Sequence, residues 1–111
     1  MKATIRSAGA YLPAQRISNE DLAERIDTSD EWIRSHTGIG ARHIAAADEA
    51  TSDMALQAAR QALDSCGMRG DELDMIIVAT STPDYTGFPA TASIVQHALG
   101  ATGAGAFDLV A

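Results

Sequence analysis

Apolar residues recur along this chain with two different periods, and the changes of period mark out its elements. From Thr51 to Gly67 they fall at Met54, Ala55, Ala58, Ala59, Ala62, Leu63 and Cys66. That spacing predicts a helix opened by Thr51-Ser52 and stopped by the glycine. MIIVA, residues 75–79, is an unbroken apolar run of strand length, as in parallel strands covered on both faces. TSTPDYTG, residues 80–87, then reads as a loop. Pro89 suits the first turn of a helix that pairs Ile94 with Ala98 and Val95 with Leu99 before Gly100 closes it. GAFDLVA, residues 105–111, predicts another buried strand. The upstream pattern is weaker. Residues 3–11, ATIRSAGAY, alternate loosely and predict a strand ending at Leu12-Pro13. Ser18 offers an N-cap for NEDLAERI, with Leu22 and Ile26 one turn apart. GARHIA, residues 40–45, predicts a modest strand.

Strands alternating with helices predict an α/β fold with a parallel sheet. There is no internal repeat, low-complexity tract or linker. The length allows one compact domain with a single core. The chain stops inside an apolar strand, so we expect residues 1–111 to be the first part of a longer protein.

Charge narrows the function. Fifteen acidic against eight basic residues leave a net charge of -7. Binding of nucleic acid, or of an anionic membrane surface, needs the opposite balance. No apolar run approaches the ~20 residues that span a bilayer, and the N-terminus is too polar for a signal peptide. The single cysteine cannot form an internal disulfide, which fits a cytosolic protein. Alanine makes up much of the apolar share, so the helices should pack closely on their neighbours.

The candidate chemistry centres on TSDEWIRSHTGI, residues 28–39, which holds the only tryptophan. Thr28 and Glu31 fit a capping box, and Gly38 is a plausible stop. Thr28, Trp32 and His36 lie four residues apart and share one helix face, while Ile33 points elsewhere and can anchor the helix. A flat heteroaromatic ligand could stack on the indole. From spacing alone, the better-supported reading is that Trp32 packs in the core beside Ile33.

Together with RHIA at 42–45, this stretch closely resembles the N-terminal region of the β-ketoacyl-acyl carrier protein synthase III family. SAGAYLP at 7–13, IIVATSTPDYTGFPATA at 76–92 and GAFDLVA at 105–111 resemble that family's successive segments. The resemblance implies a thiolase-like fold, of which residues 1–111 would form the N-terminal part of the first α/β half of a five-layer αβαβα architecture. It implies acyl transfer from acyl-coenzyme A to a cysteine, then decarboxylative condensation with malonyl-acyl carrier protein to start fatty acid synthesis. Acyl-coenzyme A is then a substrate, with no separate cofactor, and the enzyme is a homodimer.

Residue by residue, the resemblance puts Thr28 and Trp32 at the coenzyme A entrance, with the indole stacked on adenine. His36 stands where the family commonly has an arginine that contacts phosphates, and an imidazole reaches less far and carries less charge near neutral pH. Phe88 matches a phenylalanine that crosses the dimer into the partner's acyl pocket. The alternative is a ring packed on its own helix start. Gly87 lengthens that loop by one residue.

The family's nucleophilic cysteine is expected just beyond Ala111, and its histidine and asparagine further on, so residues 1–111 hold no catalytic residue and should be inactive alone. Cys66 stands at the wrong end of its helix for a thiolate nucleophile and reads as structural, as do His43 and His97. Asp108, in an apolar strand, needs a hydrogen-bond partner if buried. No Cys/His/carboxylate cluster has metal-ligand spacing. Three other functions stand beside this one. One is a related enzyme on the same scaffold, for quinolone or polyketide priming or for non-decarboxylating acyl transfer. The second is a non-catalytic module that binds a nucleotide-like ligand. The third is a purely structural subunit with no ligand.

Overall fold

The computed structural model describes residues 1–110. Where the sequence suggested a single core, the chain divides into two compact units, Leu12–Asp48 and Met1–Tyr11 with Glu49–Ala111.

The first unit, Leu12–Asp48, holds strand β1 (Gln15–Ser18), helix α1 (Asn19–Ala23), helix α2 (Asp30–Thr37) and strand β2 (Ala41–Ile44). β1 and β2 pair antiparallel, with Arg16 opposite His43. Ser18 caps α1 as its sequence predicts: its hydroxyl accepts from the Asp21 N–H, and the Asp21 carboxylate accepts from the Ser18 N–H. The backbone turn at Ser18 places Asn19 inside. Asn19 has no exposed surface, and its amide joins four segments. Nδ2 donates to Asp30 Oδ1 at 2.7 Å and to the Ile39 carbonyl at 2.8 Å. Oδ1 accepts from the Arg42 guanidinium at 2.6 Å, and the same guanidinium donates to the Ser18 carbonyl at 3.1 Å. Ile17 and Ile33 supply the apolar part of this small core, so the anchoring role read for Ile33 holds.

The second unit holds helix α3 (Thr51–Cys66), a 3₁₀ turn (Gly70–Glu72), strand β3 (Met75–Ala79), helix α4 (Thr91–Leu99) and strand β4 (Gly105–Leu109). β3 and β4 run parallel, Ile77 beside Phe107, with α4 as the crossover between them. Val95 and Ala92 of α4 are buried, as are Ala101 and Ala104 beyond it. The close packing expected of an alanine-rich chain is visible at Gly9. A Cβ there would lie 2.2 Å from the Ala58 carbonyl oxygen of α3, so only glycine fits.

The structure revises three expectations. Residues 3–11 form no strand: no ladder partner is hydrogen-bonded to them among the described residues, and Ala10 N–H instead donates to the Gln61 side chain. An extended segment without a ladder is not a strand, whatever its alternation. MIIVA is a parallel strand, but only one of its faces is covered among the described residues. Met75 and Ile77 alternate outward beside Phe107 and Leu109, forming an apolar face open to solvent. Finally, α4 begins at Thr91 rather than at Pro89, with Ala90 as its N-cap, and the N–H groups of its first turn find their partner elsewhere.

That partner is Asp108. Ala90, the N-cap of α4, has no side chain that can cap. Asp108 of β4 supplies a carboxylate instead, accepting from Thr91 N–H at 2.8 Å and Ala92 N–H at 2.7 Å. α3 is served in the same way: Asp84, in the 80–90 loop, accepts from Ser52 N–H at 2.9 Å. Negative charge at a helix N-terminus satisfies orphan donors and complements the macrodipole.

Replacing Asn19 with leucine should lower the unfolding free energy by roughly 2–3 kcal/mol, because it strands the buried partners of one amide. Urea unfolding of the variant against the parent protein measures the loss.

Candidate functional site

α2 is short, and its boundaries decide what the site contains. Ser29, rather than Thr28, is the N-cap: its hydroxyl accepts from Trp32 N–H at 3.1 Å. The capping box read for Thr28 and Glu31 is therefore displaced by one residue, and with Trp32 at the third helical position no reciprocal bond forms. Serine ranks at least with threonine as an N-cap, so the sequence carried this signal too. The C-terminal stop stands as read, with Gly38 at φ 74° and its N–H donated to the Arg34 carbonyl.

The shift leaves the Thr28 hydroxyl outside the helix start. Asp27, Thr28, Ser29 and Trp32 line an open hollow of about 350 Å³. Trp32 is 56% exposed, although it is the largest apolar side chain in the protein. Its neighbour Ile33 is 7% exposed, so the helix is held by one residue and presents the other. The reading in which Trp32 packs in a core beside Ile33 is thereby excluded within this unit.

His36 lies against Trp32 rather than beside it in a row. The two ring centroids are 4.3 Å apart and the planes meet at 21°. His36 Nδ1 is 2.8 Å from the Trp32 carbonyl oxygen and 3.1 Å from Ser35 Oγ. Arg34 is engaged on the helix itself, with Nε 2.8 and 2.9 Å from the two Asp30 carboxylate oxygens. The Asn19 amide, and after it the Arg34 guanidinium, hold the Asp30 carboxyl below the usual carboxylate range. The first turn of α2 is thus tied to the buried Asn19 while its outer face stays free.

Phe88 stands on the loop between β3 and α4 and is 95% exposed. It does not pack on its own helix start, which removes the bland alternative for this ring. Gly87 before it has φ 109°, a conformation open to glycine and little else. The base of this loop is fixed. Asp84 N–H donates to the buried Thr91 hydroxyl at 3.1 Å, Asp84 caps α3, and Thr51 donates to the Thr82 carbonyl at 2.6 Å. A second hollow, of about 260 Å³, lies at the carboxyl ends of β3 and β4 among Ala79, Thr80, Ser81 and Leu109. Parallel sheets place ligands at that edge.

The remaining candidates are structural in their surroundings. Cys66 is half-buried and donates weakly to the Leu63 carbonyl. His43 Nδ1 is 2.6 Å from the Pro13 carbonyl oxygen. Asp108 finds the partners its burial demands, as helix cap. Among the described residues there is no group of three or more metal-ligating side chains, and no helix is long and apolar enough to cross a membrane. The cysteine expected beyond Ala111 lies outside the described residues. Asp27, Ser29, Asp84 and the Asn19 network were not singled out from the sequence. Only the run of capping residues at 27–30 signalled any of them.

Because Asp30 is held below its unfolded value, about 3.9, its contribution to stability is full above that value and is lost as pH falls through the lower folded one. Asp30→Asn should therefore be less stable than the parent at pH 7 and show a flatter acid limb between about pH 5 and pH 2. Thermal unfolding across that range checks both parts.

No family model matches the chain. It is, however, 60% identical over 110 residues to the β-ketoacyl-[acyl-carrier-protein] synthase III of Neisseria meningitidis serogroup A / serotype 4A, across 98% of this chain and 34% of that protein. It is 51% identical to the synthase III of Erythrobacter litoralis, across 100% of this chain and 34% of that protein. Among solved structures, 3-oxoacyl-[acyl-carrier-protein] synthase III from Aquifex aeolicus superposes with a TM-score of 0.85 at 48% identity, over 96% of this chain and 34% of the other. The priming β-ketosynthase of the R1128 polyketide pathway superposes with the same TM-score at 36% identity, over 96% of this chain and 32% of the other. The chain spans about a third of the length of the curated relatives it matches. In sequence and in fold the chain matches the N-terminal portion of β-ketoacyl-acyl carrier protein synthase III, a thiolase-like condensing enzyme.

Proposed function

We propose that this chain forms the coenzyme A entrance of a homodimeric, cytosolic enzyme that condenses an acyl group with malonyl-acyl carrier protein. The observation that carries the reading is the solvent-exposed indole of Trp32 on a polar hollow, mounted on a helix anchored by Ile33. Burying so large a ring would be favourable, and leaving it out fits a surface that a ligand covers. Thr28 and Ser29 add hydroxyls beside it that can bond the edge of a stacked base. Asp27 adds a carboxylate and none of the four lining residues is cationic, so the hollow suits the base of the coenzyme rather than its phosphates.

In the proposed reaction a cysteine thiolate beyond Ala111 attacks the acyl thioester. The carbonyl carbon bonds to the enzyme sulfur, its bond to the coenzyme sulfur breaks, and coenzyme A leaves as a thiolate that takes up a proton. Malonyl-acyl carrier protein then loses carbon dioxide, and its carbanion attacks the enzyme thioester, forming a carbon–carbon bond and returning the cysteine thiolate. Proton transfers and stabilisation of the carbanion belong to residues beyond this chain. Within it, the hollow at the carboxyl ends of β3 and β4 lies at the edge from which the nucleophile would follow β4. Phe88, exposed on a loop with a fixed base, is suited to enter a partner's acyl pocket.

Priming of a polyketide is the second reading, favoured by the superposition on the R1128 priming ketosynthase. It uses the same entrance and differs in the acyl group and the carrier. Product analysis with malonyl-carrier protein and acyl-coenzyme A of increasing chain length separates the two.

In the full-length protein, coenzyme A should quench tryptophan emission. Trp32→Ala should abolish that quenching and raise the dissociation constant roughly five- to hundredfold, the range for loss of one base–aromatic stack. Undiminished binding by the variant would reject the entrance. The acidic surface here should repel an acidic carrier. Reversing the charge of the exposed Arg6, Arg16 and Arg25 should therefore leave carrier affinity unchanged, as measured by titration calorimetry.

A further inference from the structure

The contact between His36 and Trp32 closes one face of the indole before any ligand arrives. Two independent features hold the imidazole there. One is the ring contact itself, with centroids 4.3 Å apart and planes at 21°. The other is the hydrogen bonding of Nδ1. A carbonyl oxygen can only accept, so at 2.8 Å from the Trp32 carbonyl, Nδ1 carries the hydrogen. Ser35 Oγ donates to the same carbonyl at 2.9 Å and lies 3.1 Å from Nδ1, so the same edge of the ring meets a second polar neighbour. In the neutral ring Nε2 is then the acceptor. The geometry is local to α2: residues i and i+4 are neighbours on a helix, and both the carbonyl and the indole belong to residue i.

Trp32 lines the hollow with Asp27, Thr28 and Ser29, and His36 does not. The hollow therefore meets the indole where the imidazole leaves it uncovered. We infer that His36 is a positioning residue that walls off one face of Trp32, making the indole a one-sided platform on which a purine completes a three-ring stack. This rests on the coenzyme A entrance proposed above and assigns His36 a role in holding the base, not the phosphates. The physical gain is preorganisation. A stacked and hydrogen-bonded neighbour restricts the indole's rotamers before binding, so less freedom is lost when the ligand docks.

Dissecting the ligand tests this in the full-length protein. Coenzyme A, adenosine and pantetheine, which has neither base nor phosphate, are titrated calorimetrically into the parent, His36→Ala and His36→Phe. Removing an aromatic partner should weaken coenzyme A and adenosine by the same factor, roughly three- to tenfold, and leave pantetheine unchanged. Phenylalanine keeps a ring without the hydrogen bond and should recover adenosine binding to within about twofold of the parent. If His36→Ala weakens coenzyme A but not adenosine, the imidazole serves the phosphates and the inference fails. It fails also if neither ligand is affected, or if His36→Phe binds adenosine no better than His36→Ala. Failure of the underlying entrance looks different: Trp32→Ala would then bind coenzyme A as tightly as the parent. Should His36→Ala not fold, the comparison of adenosine with pantetheine in His36→Phe decides alone, through a retained or lost preference for the base.

Discussion

Everything that presents Trp32 depends on one buried amide. Asn19 has no contact with solvent, yet it touches the first residue of α2, the carbonyl of Ile39 and the guanidinium of Arg42. A buried amide has fixed donors and acceptors, and leaving any of them unmet costs more than a typical hydrogen bond contributes. The network therefore admits few arrangements, and it specifies the end of β1, the start of α2 and the course of β2 together. Apolar packing has little to work with here, since Ile17 and Ile33 are the large aliphatic side chains buried in this unit. A two-turn helix has little stability of its own. α2 exists because Asp30 is tied inward and Ile33 is buried, which leaves its other face free to carry an indole.

The second unit applies the same physical rule at its helix starts. Neither Ala50 nor Ala90 can cap a helix with its side chain. Asp84 and Asp108 do so from elsewhere in the chain, and each tie also fixes a connection. Asp108 binds β4 to the beginning of α4, and Asp84 binds the 80–90 loop to the beginning of α3. Phe88 therefore projects from a loop whose base is held at both helix N-termini, although the ring itself meets almost nothing. Rigid support beneath an exposed aromatic residue is the arrangement expected where the ring is to be used by something outside the unit.

Wherever a single element's own residues decide its form, the elements were legible in advance. The alanine-rich helix, its glycine stop, the MIIVA strand, the helix ending at Gly100, the Ser18 cap and the RHIA strand all stand where the pattern put them. Three of the misreadings share one cause. Residues 3–11 alternate like a strand but lack a ladder partner among the described residues, MIIVA is apolar on a face that no described residue covers, and Pro89 precedes its helix rather than opening it. Each depended on a neighbour distant in the chain, about which local pattern is silent. The Thr28 cap failed differently: two adjacent hydroxyl residues compete for one role, and spacing does not separate them.

The sequence by itself determined the family resemblance, the α/β class, the helical faces and the spacing that puts Trp32 and His36 on one face, because all of these are matters of residue order and helical period. Whether the indole is buried or presented, and whether the imidazole stands beside it or against it, was decided by the tertiary structure. Both depend on side-chain rotamers and on which neighbours compete for the same surface. A period of four residues can bring two rings together; only packing and a hydrogen bond to a carbonyl stack them.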